Sequence, residues 1–294
     1  GVLADVTGCR HGYLPEGGNS AGAALAGALP HRQAGGKPAQ VQGGHWRRMI
    51  ADEVKAWLLL GLEPELDCIE GAAIGAALAE ADFVVSLTAF ESEAVERHAD
   101  VMLPVNLYPE TAGTFVNLEG RWQSFSGCAV APGESRPAWK ILRVLGNLLD
   151  VDGFDYLSPE EVTQELQAAC EGVEPANEQA WEFPAAMGGA PEGLVRIAEY
   201  SIYAVDPLVR RSAPLQAAKS GWGATAYLNP STAKQLGFEG VTAVSARQGT
   251  RQAELPLRVS DAVPENCVWI PVGHVEGMEG TAESETVVLE RISE

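Results

Sequence analysis

Basic residues are scarce in this chain of 294 residues. Lys and Arg number 20 against 40 Asp and Glu, which leaves a formal net charge of −20 at pH 7. A surface of that sign repels phosphate backbones, so we expect no nucleic-acid binding and favour docking on basic partner surfaces. The sequence also lacks an apolar run of membrane-spanning length and a secretory signal, so we expect no direct membrane insertion.

Closely spaced metal ligands are lacking as well. The five cysteines stand far apart and none forms a C-x-x-C pair, which favours free thiols in a reducing compartment. Iron–sulfur clusters need several thiolates, usually at short spacings, and the histidines show no H-E-x-x-H pattern. No Ser/His/Asp or Cys/His arrangement has a spacing diagnostic of a hydrolase. These patterns predict neither a metal site nor a catalytic residue.

A start signal is also absent, because the chain begins at Gly1 without a methionine. We interpret it as a piece of a longer polypeptide. Its composition is that of an ordinary globular protein, with 46% hydrophobic and 20% charged residues. The length suffices for two domains, or for one large domain with an appendage.

Short apolar runs alternate with helical patterns in the first half of the chain. The runs predict buried strands at 55–60, 83–87 and 101–103, and the patterns between them predict helices at 68–80 and 91–98. This alternation indicates an α/β domain with a parallel, doubly wound-like sheet. Ligands of such sheets bind beyond the carboxyl ends of the strands.

Later segments have their own start signals. Ser158-Pro159-Glu160-Glu161 predicts a helix with Ser158 as cap, and Asn229-Pro230-Ser231 predicts another. Alternating apolar residues at 253–259, with runs at 267–270 and 286–292, predict strands of a small β-barrel. The predicted domains are therefore an α/β domain at 1–171, a linker and extended segment at 172–220, and a barrel-like domain at 221–294.

The stretch from Ala99 to Gln123 is the richest in potential ligand-binding groups. Glycines there indicate unusual backbone conformations or close approach to another group. Its Asn, Arg and Gln side chains are suited either to hydrogen-bonding a ligand or to locking a buried polar corner. Residue chemistry alone leaves both interpretations open. The residues concerned are Gly113, Thr114, Asn117, Glu119, Gly120, Arg121 and Gln123.

This stretch has the form A-D-V-x-L-P, then Glu, then G-T-x-x-N-x-E-G-R-x-Q. It resembles the molybdopterin oxidoreductase superfamily. Within it, the chain resembles the C-terminal part of the large iron–sulfur subunit (the G subunit) of bacterial NADH:quinone oxidoreductase, complex I. Similar matches run from Gly18 almost to the C-terminus. The resemblance implies an N-terminally truncated α/β domain followed by a barrel like the superfamily's dinucleotide-binding domain.

The resemblance also carries expectations about cofactors. The family's cluster-binding cysteines would lie upstream of Gly1, so iron–sulfur clusters are expected only in a missing N-terminal region. The complex I subunit is taken to keep the fold without a molybdenum cofactor. The strand-end loops here offer Glu63, Glu91 and Glu93 but no Lys or Arg before Arg97, whereas two phosphates require cations or a nest of N–H groups.

We therefore expect a vestigial, empty pocket at the strand ends. The candidate residues of this pocket are Gly61, Glu63, Pro64, Thr88, Thr114, Asn117, Arg121 and Gln123.

Two adjacent arginines, Arg210 and Arg211, stand out in so acidic a chain. One interpretation is that they clamp a carboxylate across a domain or subunit boundary. The alternative is a solvated basic turn paired with local acids. Both remain open at this stage, and the two residues are our interface candidates.

The first functional hypothesis is a non-catalytic structural module of the peripheral arm of complex I. Its partners would be other peripheral-arm subunits, and it would lie in the cytoplasm, peripheral to the inner membrane. The second hypothesis is a fragment of an active molybdopterin-dependent oxidoreductase, which needs a metal-binding side chain that nothing here obviously supplies. The third is a residual nucleotide-binding module. The resemblance favours the first.

Overall fold

The computed structural model describes residues 2–10, 12, 14–15, 17–41, 43–68, 70–173, 192–218, 223–249, 251–272, 275, 278 and 286–292. The chain divides into two compact units. Unit 1 comprises Gly1–Asp52, Leu87–Ala89 and Leu103–Ala185, and unit 2 comprises Glu53–Ser86, Phe90–Met102 and Ala186–Glu294. Parts of the predicted linker, 174–191 and 219–222, lie outside the described residues, and the predicted domain boundaries stay predictions.

The helices in chain order are α1 (Val2–Thr7), α2 (Ser20–Leu25), α3 (Trp46–Ala51), α4 (Pro64–Asp67), α5 (Gly71–Ala79), α6 (Glu93–His98), α7 (Ala138–Leu148), α8 (Pro159–Ala169), α9 (Pro207–Arg210), α10 (Ala213–Gln216) and α11 (Pro230–Gln235). Short 3₁₀ turns occupy Ala34–Gly36 and Tyr108–Glu110. Among the residues that the structure describes, no helix combines the length and apolar character that crossing a membrane requires.

The strands are β1 (Ala56–Leu60), β2 (Phe83–Thr88), β3 (Val101–Pro104), β4 (Gly113–Val116), β5 (Trp122–Phe125), β6 (Leu194–Ile197), β7 (Ala226–Leu228), β8 (Ala243–Gln248), β9 (Arg251–Val259), β10 (Cys267–Trp269) and β11 (Thr286–Arg291).

The strands β1, β2 and β3 form one parallel sheet in that order. The three strands and the intervening helices α5 and α6 confirm the predicted alternation of strands and helices. In β1, however, only alternate residues are buried: Trp57 and Leu59 are buried, whereas Leu58 and Leu60 are exposed. The run at 55–60 is therefore a half-buried strand rather than the buried strand that its composition predicts, because one side of this edge strand faces solvent.

A closed barrel in unit 2 has the strand order β10-β6-β11-β8-β9-β7. The predicted barrel is confirmed, and it also contains β6, which comes from the segment interpreted as linker and extended chain. Four residues with no clear alternation gave β6 no signal in the sequence. Its pairing with β10 and β11 places it in the barrel.

The core of unit 2 consists of the inward-facing side chains of the barrel strands, which alternate along each strand with outward-facing ones. In β9, Leu255 and Leu257 are buried and the residues between and beside them are exposed. Leu228, Val244 and Ile270 from other parts of the barrel are fully buried in the same cluster. Burying a side chain of this size contributes about 1.5–3 kcal/mol, so this cluster is a major source of the unit's stability.

The helices α7 and α8 lie in unit 1 and are joined by a loop. The predicted cap is present, since the Ser158 hydroxyl accepts a hydrogen bond from the Glu161 amide at 3.3 Å. At the end of α7, Asp150 has a positive φ of 53° and the Val151 amide donates to the Gly146 carbonyl at 2.9 Å. This pattern is a Schellman-type helix end, and it turns the chain back along the helix.

Candidate functional site

The loop after β1 carries three of the predicted pocket residues. Gly61 turns the chain with a φ of +60°, a conformation that suits glycine. Pro64 is buried and opens α4, where its missing N–H costs no helical hydrogen bond. Between them, the Glu63 amide donates to Asp67 Oδ2 at 2.7 Å, which positions the Glu63 side chain.

A second short helix presents the two arginines. Asp206 caps α9, since its Oδ1 accepts hydrogen bonds from the amides of Leu208 at 2.8 Å and Val209 at 2.9 Å. Pro207 stands at the first helical position. This Asp-Pro start is a local signal, and it places Arg210 and Arg211 at the end of the helix.

The two guanidinium groups hold the carboxylate of Glu63. Arg211 binds it in a bidentate manner, with Nη2 donating to Oε1 at 2.6 Å and Nη1 donating to Oε2 at 3.0 Å. Arg210 Nη2 donates to Oε2 at 2.7 Å. Such charge-assisted pairs are roughly twice as strong as neutral hydrogen bonds. We call Glu63, Asp67, Arg210 and Arg211 the arginine–carboxylate cluster.

Arg210 makes two further hydrogen bonds. Its Nη1 donates to Asp67 Oδ1 and to the Ala204 carbonyl, both at 2.8 Å. The Arg211 guanidinium lies over the ring of Phe90, 4.5 Å from its centroid, which adds a cation–π contact. Side-chain exposure is 2% for Glu63, 7% for Arg210 and 32% for Arg211. Two carboxylates and two guanidiniums therefore neutralise one another within unit 2.

The protonation of the cluster follows from this geometry. Burial raises the pKa of the Glu63 carboxyl, but the hydrogen bonds and positive charges of Arg211 and Arg210 outweigh burial and bring that pKa down to about 2. Burial lowers the pKa of Arg210, and its bonds to Asp67 and Glu63 more than offset this, so that its pKa is raised. Glu63 is consequently ionised throughout the physiological pH range.

The structure thus brings together residues that the sequence placed in separate groups. Glu63 was a pocket candidate, and Arg210 and Arg211 were interface candidates. The carboxylate that the arginines clamp belongs to the same chain and to the same unit. One edge of Arg211 remains partly exposed, so an external partner at these residues stays a prediction.

Thr114 and Thr88, two further pocket candidates, make hydrogen bonds within unit 1. The Thr114 hydroxyl lies 3.0 Å from that of Ser124 and 3.3 Å from that of Thr163. These hydroxyls line an open groove of about 220 Å³ between the β4–β5 hairpin and α8. The Thr88 carbonyl accepts a hydrogen bond from the Val105 amide at 3.0 Å, so it stabilises the backbone.

The remaining pocket candidates belong to the β4–β5 hairpin, which sequence reasoning missed. Asn117 Oδ1 accepts hydrogen bonds from the amides of Glu119 at 3.0 Å and Arg121 at 2.9 Å, and thereby closes the hairpin turn. The side chains of Arg121 and Gln123 are exposed. Asx-type turn chemistry is the signal that would have revealed this turn.

Gly120 in that turn has a φ of +77°. We expect Gly120→Val to lower the free energy of unfolding by roughly 1–3 kcal/mol, because a β-branched residue is strained in the left-handed region. Thermal melts will measure the effect. Gly120→Asn is the matched control, since Asn tolerates this conformation, and Arg121→Ala is expected to stay within about 0.5 kcal/mol of wild type. An unchanged melting midpoint for the Val variant would show that the turn does not need glycine.

Two further polar side chains, which make long-range hydrogen bonds, were not identified from the sequence. In the barrel, Arg196 is buried, and its Nη1 donates to Gln248 Oε1 at 3.1 Å. In unit 1, Asn19 precedes α2, but its Oδ1 accepts a hydrogen bond from the Val116 amide at 2.8 Å and makes none to the start of that helix. Both bonds join residues far apart in sequence, so local patterns carry no trace of them.

Within the described ranges, no three His, Cys, Asp or Glu side chains come together in a way that suits a metal ion. Cys68 lies next to the arginine–carboxylate cluster in sequence. Burial, with the negative charges of Asp67 and Glu65, raises the pKa of its thiol to about 11. That thiol is therefore protonated near neutral pH and is a poor nucleophile.

Comparison with known proteins places this architecture. Residues 10–148 match the family described as molybdopterin oxidoreductase. The chain contains a molybdopterin oxidoreductase domain. Its fold is also similar to acetylene hydratase from Pelobacter acetylenicus, with a TM-score of 0.57 and 16% identity over 87% of this chain and 43% of that one. This similarity concerns the fold alone.

Sequence relatives extend the match along the chain. The G subunit of NADH-quinone oxidoreductase from Mycobacterium bovis is 30% identical over 92% of this chain and 36% of its own length. The Streptomyces coelicolor protein of that description is 28% identical over 90% of this chain and 34% of its own length. The chain resembles the C-terminal portion of these relatives and spans about a third of their length. The resemblance noted from the motif is thereby confirmed.

Proposed function

We propose that this chain is a non-catalytic structural module of the peripheral arm of complex I, the proton-pumping NADH:quinone oxidoreductase. The observation that carries the proposal is the similarity to the G subunit over 92% of the chain, which extends well beyond the family match at 10–148. In this proposal the electron-carrying iron–sulfur clusters lie in a region outside this chain, and the chain itself holds no cofactor.

The arginine–carboxylate cluster supports the second part of the proposal. A dinucleotide cofactor brings two phosphates, which require cationic side chains or several convergent N–H groups. At the end of β1 both guanidiniums already bind Glu63, and Arg210 also binds Asp67. The residues of this strand end therefore do not fit the pterin dinucleotide, and we propose that the pocket is vestigial.

The proposed partners are other peripheral-arm subunits, with the module lying in the cytoplasm on the inner membrane's surface as part of the complex. A net charge of −20 steers association towards basic surfaces.

One face of the parallel sheet carries exposed apolar side chains, such as Leu58 and Leu60. We propose that this face is covered in the complex, so that the sheet is doubly wound there, as parallel sheets generally require.

The test is reconstitution of a complex that lacks this segment. We expect the full chain to be captured by that complex at low and at moderate salt. We also expect the chain alone to show no oxidation of NADH and no reduction of quinone, since both reactions need a flavin or clusters. Absence of capture at every salt concentration, or robust turnover by the chain alone, would contradict the proposal.

Elemental analysis separates this proposal from the alternative of an active molybdopterin-dependent oxidoreductase fragment. The structural module is expected to contain no stoichiometric iron, molybdenum or tungsten after purification. Native mass spectrometry of the same sample reports any bound nucleotide. A stoichiometric pterin dinucleotide would favour the alternative, because it requires an intact pocket.

A further inference from the structure

We propose that the groove between the β4–β5 hairpin and α8 receives a lysine or arginine side chain of another protein. The inference rests on the proposed function and deepens it, because it names the chemistry of one contact with a partner. We call this space of about 220 Å³ the hydroxyl groove. Its polar lining consists of Thr114, Ser124, Glu160, Thr163, Gln164 and Gln167.

The two walls of the hydroxyl groove are in direct contact. Thr114 and Ser124 lie opposite each other in the antiparallel register of the hairpin, so their side chains share one face. The groove residues of α8 follow one another at intervals of three and four positions, which places them on one face of the helix. The hydroxyls of Thr114 and Thr163, 3.3 Å apart, join the two faces within unit 1.

The hydrogen bonds among the groove hydroxyls run in one direction. The Thr163 hydroxyl donates to the Pro159 carbonyl at 3.0 Å, because a carbonyl can only accept. A hydroxyl carries a single hydrogen, so Thr163 must accept from Thr114, and Thr114 must in turn accept from Ser124 at 3.0 Å. The exposed Ser124 Oγ thereby uses its hydrogen within the chain of hydroxyls. A ligand that meets this atom must therefore donate to it.

The charge of the hydroxyl groove makes the same selection. Among the described residues that line it, Glu160 is the one with a charged side chain. Glu165 is exposed on the same helix, and the sequence has no Lys or Arg between Arg143 and Arg196. An ionised carboxylate accepts hydrogen bonds and donates none. The groove is therefore complementary to a positively charged donor.

The size and the apolar part of the lining favour one long side chain. The volume lies below the range of about 300–1,000 Å³ that is typical of pockets for drug-sized ligands. Ala112, Phe125 and Pro159 also line the groove, and the Phe125 ring is held by an edge-on contact with Phe115 at 5.2 Å between centroids. Lys and Arg bury their methylene stems along apolar surface and direct the charged end to polar groups.

Other occupants match this lining less well. A phosphate or carboxylate ligand would meet acceptors and the negative charge of Glu160. A divalent cation prefers several oxygen ligands with carboxylates among them, and the described residues contain no group of three His, Cys, Asp or Glu that suits a metal ion. A second copy of the chain carries the same net charge of −20, which opposes self-association.

Titration of the full chain with small ligands tests the groove without the complex. The probe is N-acetyl-arginine amide, followed by NMR of ¹³C-labelled threonine methyl groups. We expect the signals of Thr114 and Thr163 to shift and to saturate with a Kd on the order of 1 mM. N-acetyl-citrulline amide, a neutral analogue of the same shape, is expected to bind about two- to fivefold more weakly. N-acetyl-glutamate amide should leave both signals unchanged.

Two pairs of variants separate the charge of the groove from its hydroxyl. Glu160→Gln is expected to weaken binding of the arginine probe about two- to fivefold and to remove its advantage over the citrulline analogue. Glu171→Gln, at an exposed acid outside the groove, should change neither affinity. Ser124→Ala is expected to weaken both ligands alike, about two- to tenfold, whereas Ser126→Ala, at an exposed serine outside the groove, should weaken neither.

Several results of this titration would overturn the proposal. One is the absence of a saturable shift at Thr114 and Thr163. Another is equal affinity of wild type for the arginine and citrulline ligands, because the groove would then not select a cation. Equal affinities of Glu160→Gln and Glu171→Gln for the arginine probe would likewise assign the attraction to the overall charge of the chain.

Capture by the complex that lacks this segment tests the source of the side chain. Where wild type is captured, we expect the charge reversal Glu160→Arg to weaken capture at low salt and the matched reversal Glu171→Arg to leave it unchanged. Equal capture of these two variants would contradict a partner side chain in the groove. If wild type itself is not captured, the proposed function fails, and the titration still decides whether the groove binds a cationic side chain.

Discussion

Replacing Glu63 with Gln is expected to lower the free energy of unfolding by about 3 kcal/mol, because it leaves two guanidiniums without their shared anion. Glu63 and Arg210 are almost fully buried, so water cannot replace the lost carboxylate. The amide retains one acceptor oxygen, but it cannot receive all the bonds that Arg210 and Arg211 donate. The fold of unit 2 is therefore expected to depend on this one side chain.

The same residue predicts a pH dependence of stability. The pKa of Glu63 is about 2 in the folded chain and about 4.3 in an unfolded one. The ionised Glu63 contributes to the free energy of unfolding in full above about pH 4.3. This contribution is lost as the pH falls towards about 2, because Glu63 takes up a proton in the unfolded chain before it does so in the folded one. A difference of roughly two pKa units corresponds to about 3 kcal/mol. The Gln variant is expected to lack this part of the pH dependence.

Calorimetric unfolding of wild type and variant between about pH 7 and pH 3 will measure both effects. The control is Glu254→Gln, which removes an exposed carboxylate from the same unit and is expected to stay within about 0.5 kcal/mol of wild type. Equal stability of wild type and Glu63→Gln at neutral pH would mean that the arginines do not depend on Glu63.

Replacing Arg196 with Met should be of similar consequence for the barrel, lowering the free energy of unfolding by about 3 kcal/mol. Arg196 donates to the carbonyls of Ile270 at 3.3 Å and Met278 at 2.9 Å, as well as to Gln248. Gln248 is 2% exposed. Methionine fills a similar volume but donates nothing, so several buried acceptors would lose that donor at once.

Arg258→Met is the matched control, because Arg258 lies on a barrel strand with an exposed side chain. Chemical denaturation followed by tryptophan fluorescence will compare the two variants. We expect the control substitution to change the free energy of unfolding by no more than about 0.5 kcal/mol. Equal stabilities of the two variants would show that the buried guanidinium makes no net contribution. The free energy of unfolding of Arg196→Lys should lie between those of wild type and Arg196→Met, since an ammonium retains the charge without the planar fork of the guanidinium.

Local elements were largely predictable because their signals lie in adjacent residues. The cap of α8 needs only Ser158, Pro159 and Glu161, and the strands of the sheet follow from short apolar runs. The β4–β5 hairpin was missed because Asn117 was weighed as a ligand-binding group, whereas it closes a turn. The strand β6 was missed because its partners β10 and β11 lie far along the chain.

The candidate site was predictable in its parts and not in its assembly. The rarity of basic residues singled out Arg210 and Arg211, and the strand-end rule singled out Glu63. Nothing in the sequence indicated that these residues meet, since 148 positions separate Glu63 from Arg211. Both interpretations of the arginines, a clamp on a carboxylate across a boundary and a basic turn paired with local acids, required an acidic partner. The sequence did not identify which residue that was.

By itself, the sequence determined the acidic character of this protein, its alternating strands and helices, its capped helix starts and the resemblance to the large iron–sulfur subunit of complex I. These properties reside in composition, in short-range periodicity and in motifs, which act over a few residues. Only the tertiary structure decided that β6 completes the barrel and that Glu63 and Asp67 together neutralise the two arginines. Each of these depends on which distant segments pack together, and burial and electrostatic pairing exist only once that packing has formed.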